Sequence, residues 1–175
     1  MILENIRQRA SLDPQHVLLP EGEEPRVIKA AEMCAQDGIA KITLIGREEL
    51  IRQTAQESGS NLNGVEILNH WKADDFGKMA MLYHELRRSK GITLEEAEQI
   101  VRDSLNYGNL LVRSGDADGS VAGAVHSTAN VVRSAIQCVG VQQGFKTVSS
   151  FFLIVVPDKK FGHEGNFIYA DCGVV

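Results

Sequence analysis

The sequence predicts an α/β fold, a mostly parallel sheet with helices on both faces. Three observations lead there. Short β-branched runs alternate with stretches of helical spacing, the pattern of strand–helix–strand units. The 175 residues suffice for a buried core without disulfide staples. Apolar residues make up 43% and charged residues 23%, which excludes a disordered or collagen-like chain.

The first strand is expected at residues 16–20 (HVLLP). Pro25 then opens a helix, since its missing N–H has no partner in a first turn anyway. Val27, Ile28, Ala31 and Cys34 share one face of that helix, and Gly38 stops it. KITLI (41–45) is the second strand, followed by a helix over 47–58 that ends at Gly59. VEIL (65–68) is the third strand. A helix over 75–88 follows, with Phe76, Met79, Ala80 and Tyr83 on one side. Thr93 and Glu96 have the spacing of a capping box, and Ala97, Ile100, Val101, Leu105 and Leu111 carry the helix behind it to Arg113. SVAGAV (120–125) reads as a strand leading to a helix after His126-Ser127-Thr128, and VSSFFLIVV (148–156) reads as another strand. The closing GNFIYADCGVV, up to Val175, is apolar and strand-like, with no helix after it, which predicts a chain that stops part-way through a larger fold.

Eighteen basic against 23 acidic residues give a net charge of -5, so no basic nucleic-acid footprint is expected. No apolar run reaches membrane-spanning length, and MILENIRQRA does not read as a secretory leader. Cys34, Cys138 and Cys172 are odd in number and far apart, which fits neither a disulfide framework nor a zinc knuckle. Each lies in an apolar stretch and reads as a core thiol in a reducing cytoplasm.

Ligands of open α/β sheets bind at the carboxyl edge of the strands, so the polar turns there are the candidate sites. In RSGDADGSVAGAVHSTANVVRSAIQC (113–138), Ser127 and Thr128 fall at a helix N-terminus, where free N–H groups and the dipole attract an anion. Arg133 lies within reach of that end, and its guanidinium matches phosphate geometry. Either part taken singly also reads as an ordinary cap or a solvated charge. In HELRRSKG (84–91), Arg88 and Lys90 read as surface cations at a helix C-terminus, whereas Arg87, four residues after Tyr83, points inward. Glu21, after the first strand, reads as an acid that orients a basic group or favours a helix start. His126 has no carboxylate partner readable from spacing, the five histidines lack metal-ligand spacing, and Trp71 reads as a packing residue.

LPEGEEPRVIKAA, YHELRRSKGIT, ADGSVAGAVHSTANVVRSAIQ and SSFFLIVV…FIYADCGVV, in this order, resemble the phosphate acetyl/butyryl transferase family, and within it the phosphate acetyltransferases (phosphotransacetylases). The resemblance covers nearly the whole chain. It implies a two-domain α/β enzyme, similar in fold to isocitrate and isopropylmalate dehydrogenases, that moves acetyl between coenzyme A and inorganic phosphate. Acetyl-CoA, phosphate and acetyl phosphate are the implied ligands. A homodimer with the cleft between its domains is implied, with coenzyme A as substrate and neither metal nor further cofactor. By the same resemblance Ser127 and Thr128 match the phosphate-end loop, Arg133 an arginine that binds the phosphoryl group or CoA, and Arg87 a second cleft arginine. The family's thiolate attack uses an aspartate base and an oxyanion serine. Nothing in these residues matches the segment carrying them, which the resemblance places beyond Val175. The expectation is an N-terminal part: most of domain one at 1–142 and opening strands of domain two at 143–175, with little activity alone. A silent CoA- or anion-binding homologue or regulator, and a phosphate butyryltransferase, are the alternatives.

Overall fold

The computed structural model describes residues 2–145, 147–170 and 172. The chain divides into two compact units, one over Ile6–Gly140 and one formed by the remaining terminal segments. In the larger unit four parallel strands lie in the order β3-β2-β1-β4: β1 (Gln15–Leu19), β2 (Ala40–Ile45), β3 (Val65–Leu68) and β4 (Gly119–Ser120). The helices are α1 (Ile2–Leu12), α2 (Pro25–Gln36), α3 (Glu48–Ser58), α4 (Phe76–Arg87), α5 (Leu94–Val101), α6 (Ser104–Ser114) and α7 (Thr128–Cys138). In the smaller unit β5 (Phe151–Val155) and β6 (Asn166–Ala170) pair antiparallel.

Successive strand residues point to opposite faces, and the core follows that period. Leu19 and Leu44 pack with Ile28 and Ala31 of α2 and Ile51 and Ala55 of α3. Leu18 and Ile45, their immediate neighbours, pack with Met79 and Tyr83 of α4, Val101 of α5 and Tyr107 and Leu110 of α6. Both faces of the sheet are therefore covered, as the alternating sequence predicts. The α2 and α3 ends fall where glycine allows a left-handed turn, at Gly38 (φ 63°) and Gly59 (φ 65°). The capping box also forms: the Thr93 N–H donates to Glu96 Oε2 at 2.8 Å, and the Glu96 N–H donates to Thr93 Oγ1 at 3.2 Å.

The structure corrects several expectations. The single helix from Thr93 to Arg113 is two helices, because Asp103 ends the first and caps the second, its Oδ1 accepting the Leu105 N–H at 2.8 Å. The strand expected at 120–125 shrinks to two residues. Its ladder with β1 finishes where the Val121 N–H meets the Leu18 carbonyl at 3.0 Å, and the amides from Gly123 onward turn to a side chain. The strand at 148–156 shortens to Phe151–Val155, and α1 was not anticipated. Of the cysteines only Cys138 is buried; Cys34 is half-buried and Cys172 exposed. Trp71 is 56% exposed rather than packed, with the Arg102 guanidinium 5.6 Å from its ring centre. The strand-like ending expected through Val175 is seen as β6 up to Ala170, while Asp171, Gly173, Val174 and Val175 lie outside the described residues.

Gly22 draws the loop after β1 against β2, its N–H donating to the Ile45 carbonyl at 3.2 Å. A methyl group there would sit 2.7 Å from that carbonyl oxygen and 3.1 Å from the Ile45 nitrogen. Since β2 is buried, neither atom can yield cheaply. Gly22→Ala is expected to cost about 2 kcal/mol, as overpacking typically does, measured as a lower midpoint in urea.

Candidate functional site

The loops after β1, β2 and β3 meet the loop after β4 at the carboxyl edge of the sheet, the edge where the α/β pattern places a ligand. They form a cleft of about 620 Å³ that includes Glu21, Gly46, His70, Trp71, Asp103 and His126. Arg47 in this cleft is already engaged, holding Glu23 through two bonds of 2.9 and 2.8 Å.

The organising group is Glu21, carried off the end of β1 by Pro20 and only 7% exposed. Its Oε2 accepts the N–H groups of Gly123 (2.9 Å) and Ala124 (2.7 Å). Its Oε1 accepts those of Val125 (2.8 Å) and His126 (2.7 Å). The ring Nδ1 of His126 completes the set at 2.8 Å from Oε1. Gly123, at φ 116°, adopts a backbone conformation closed to other residues as the chain turns toward the carboxylate. Burial pushes the Glu21 pKa up, but the His126 and Val125 amides, the His126 ring and the Ala124 amide outweigh it and hold the pKa at about 2. Arg26 of α2 fixes the same loop from the other side, donating to the Ala124 carbonyl at 2.8 Å.

The clamp limits which groups after β4 are open to an anion. The amides of Val125 and His126 are occupied by a carboxylate of the protein itself and cannot cradle a phosphoryl group. Ser127 caps α7, its Oγ accepting the Asn130 N–H at 3.3 Å, and Thr128 is the exposed first residue of the helix.

Arg133 is exposed on α7, and among the described residues its one hydrogen bond is a long contact, 3.4 Å, to Asn130 Oδ1. It lines a smaller cleft of about 140 Å³ together with Asp103, Asn106, His126, Asn130 and Gln137. Asn106 and Asn109 of α6 fasten α7 through the buried Ser134. The Ser134 hydroxyl donates to Asn106 Oδ1 at 2.7 Å and accepts from Asn109 Nδ2 at 2.8 Å. The face carrying Arg133 is thereby fixed without any help from the arginine.

Arg87, at the end of α4, is half-buried, and its Nε is buried without a hydrogen-bond partner among the described residues. It lies near Tyr83 and Cys138. Burial raises the Tyr83 pKa, and the guanidinium works the other way. Tyr83 in turn donates to Gln137 Oε1 of α7 at 3.0 Å. Burial pushes the Cys138 thiol up to about 12, which leaves it a protonated, inert core group.

Of the sequence-read candidates, Arg133 lines the smaller cleft, Ser127 and Thr128 stand at the start of α7, and Arg87, near Tyr83 and Cys138, lines neither cleft. Sequence reasoning missed Glu21 as the partner of the loop and of His126. The two stand 105 residues apart, so no spacing rule links them. An acid directly after a strand-ending proline, on the ligand edge, was the available signal. Among the described residues no group of three or more His, Cys, Asp or Glu side chains could hold a metal ion, and no helix is long and apolar enough to cross a membrane.

A family model described as phosphate acetyl/butaryl transferase matches residues 1–175. The phosphate acetyltransferase of Acetivibrio thermocellus is 48% identical over 176 residues, covering 99% of this chain and 52% of that protein. That of Thermoanaerobacterium thermosaccharolyticum is 42% identical, with 99% and 52% covered. Among solved structures, a phosphotransacetylase from Streptococcus pyogenes superposes with a TM-score of 0.88 at 30% identity, and the EutD phosphotransacetylase from Staphylococcus aureus with 0.86 at 27%. Each covers 99% of this chain and 51% of the solved one. The chain thus spans about half the length of the relatives it matches.

Proposed function

The chain belongs to the phosphate acetyl/butyryl transferase family, and from that premise we propose that it forms part of an enzyme moving acetyl between coenzyme A and phosphate: acetyl-CoA and phosphate give CoA and acetyl phosphate, reversibly. One observation carries the reading. Arg133 stands with little hydrogen bonding in a cleft sized for a small anion, on a helix fastened independently of it. A guanidinium so placed can take two phosphate oxygens at once. The resemblance assigns Arg87 as a second cleft arginine and Ser127 and Thr128, at the start of α7, to the phosphate-end loop, and both assignments belong to the proposal. The resemblance assigns the base and the oxyanion group to a segment beyond Val175, outside these 175 residues. It further implies a homodimer; the cytoplasmic location, read from the spacing of Cys34, Cys138 and Cys172, and the division at 1–142 and 143–175 belong to the same proposal.

The test is direct. The full-length protein, given acetyl phosphate and CoA, is expected to produce thioester absorbance, and the 175 residues alone little or none. Absence of turnover in the full-length protein overturns the reading. Activity of the 175 residues at the full-length rate overturns the claim that they lack the transfer groups.

A further inference from the structure

We propose that His126 is a catalytic residue of the phosphate side: its Nε2 contacts the phosphate group held by Arg133 and takes that group's proton, while Glu21 positions the ring. The inference rests on the acetyl-transfer reading and adds to it a proton acceptor within this chain.

The geometry begins with Glu21. Held at about 2, its carboxylate is ionised and can only accept, so the Nδ1 it meets at 2.8 Å carries a proton. That fixes the tautomer. Nδ1–H is tied down, and Nε2 is the ring atom free to gain or lose a proton. The backbone N–H of the same residue donates to the same oxygen, so ring and main chain are oriented by one anchor. His126 and Asp103 line both clefts, and Nε2 is on the side of the ring toward Asp103. The groups facing the ring are Glu21 after β1, Asp103 before α6, with Oδ2 3.8 Å from Nε2, and Arg133 of α7 across the smaller cleft; Arg26 of α2 holds the loop beneath. Asp103 is itself fixed, its other oxygen capping α6. A base held by an acceptor-only carboxylate, in a cleft that a guanidinium also lines, is an arrangement suited to receive a protonated oxyanion.

Atoms and protons balance in the transfer. Monohydrogen phosphate attacks the thioester carbonyl of acetyl-CoA. A carbon–oxygen bond forms, the carbon–sulfur bond breaks, and CoA leaves as thiolate. The phosphate proton passes to Nε2 and is then released, and the thiolate takes up one proton from the group that serves the thiol in the other direction, so the products are acetyl phosphate and CoA thiol with no net change in protons. In the other direction Nε2 returns the proton to the departing phosphate.

The experiment compares the full-length protein with His126→Gln, which keeps a polar group beside Glu21 but has no titrating ring. The kcat/KM for phosphate is expected to fall about 10²-fold, and one limb of the wild-type pH profile to disappear. Calorimetry with inorganic phosphate, in two buffers of different ionisation enthalpy, is expected to show proton exchange on binding in the wild type and none in the variant. An unchanged pH profile, or an unchanged proton count, overturns the role of His126 while acetyl transfer stands. Loss of turnover in the wild type overturns the earlier reading instead, and the calorimetric proton count still decides this one. If the variant does not fold, the ¹⁵N shift of His126 Nε2 in the wild type decides: movement on adding phosphate supports the contact, and no movement overturns it.

Discussion

Replacing Glu21 by glutamine is expected to destabilise the protein by about 3 kcal/mol near neutral pH, with most of that difference vanishing in acid. The carboxylate receives four backbone N–H groups and one ring N–H. A glutamine side chain has one acceptor oxygen and turns an NH₂ group toward the remaining donors, leaving buried N–H groups unpaired. The size also follows from proton linkage. A pKa of about 2 in the fold against 4.5 for the free group is roughly 3 kcal/mol at 1.36 kcal/mol per unit. The sign is that of a depressed acid: the stabilisation is complete above pH 4.5 and is lost as the pH falls toward 2. Urea denaturation of both proteins at pH 7 and at pH 2.5 measures the gap, which is expected to be wide at the first and narrow at the second. A gap that does not change with pH means the carboxylate charge is not what holds the loop.

Arg133→Ala is expected to lower kcat/KM for phosphate and acetyl phosphate in the full-length protein by 10²- to 10³-fold, on the order seen when one charge-stabilising donor is removed. Stability should barely change. The side chain is exposed and its one contact is long, while Ser134 secures the helix to α6. A low rate with an intact denaturation midpoint therefore separates a ligand-binding arginine from a structural one. Arg88→Ala, an exposed change at the end of α4, is the control and should alter the rate less than about twofold. Unchanged kinetics in Arg133→Ala would reduce that arginine to a solvated charge. Arg87→Ala is a poorer probe, because the half-buried guanidinium also packs near Tyr83 and Cys138, so losses of rate and of stability would arrive together.

The features legible in the sequence were those that depend on neighbours along the chain. Adjacent pairs such as Leu18–Leu19 and Leu44–Ile45 announce strands buried on both sides, and each pair divides between the two cores. Thr93 and Glu96 announce a helix start three residues apart. The break between α5 and α6 was hidden because the apolar period runs on from Ile100 and Val101 to Leu105. A helix pattern cannot show that Asp103 turns its carboxylate to the next amides and restarts the count. Arg133 and Arg87 are candidates from local chemistry joined to family likeness. The clamp is not readable that way, since Glu21 and Gly123 are 102 residues apart and meet only because β1 lies beside β4. The same distance hid the partner of His126. Trp71 misled because an indole is usually drawn into the core, and here it lies outside under a guanidinium.

That separation also governs how the molecule assembles. The segment between the two ends of the clamp contains β2, β3, β4 and the helices α2 to α6, so joining the carboxylate to its amides closes a contact between residues 102 positions apart. Contacts of such long range tend to close late on the folding pathway, once the intervening entropy has been spent. Because β4 has only two residues in its ladder, that late closure also seats the edge strand. A nascent chain that has not yet released residue 126 from the ribosome can have most of its helices and still lack the loop that the carboxylate holds, so the edge of the cleft is shaped only after that release.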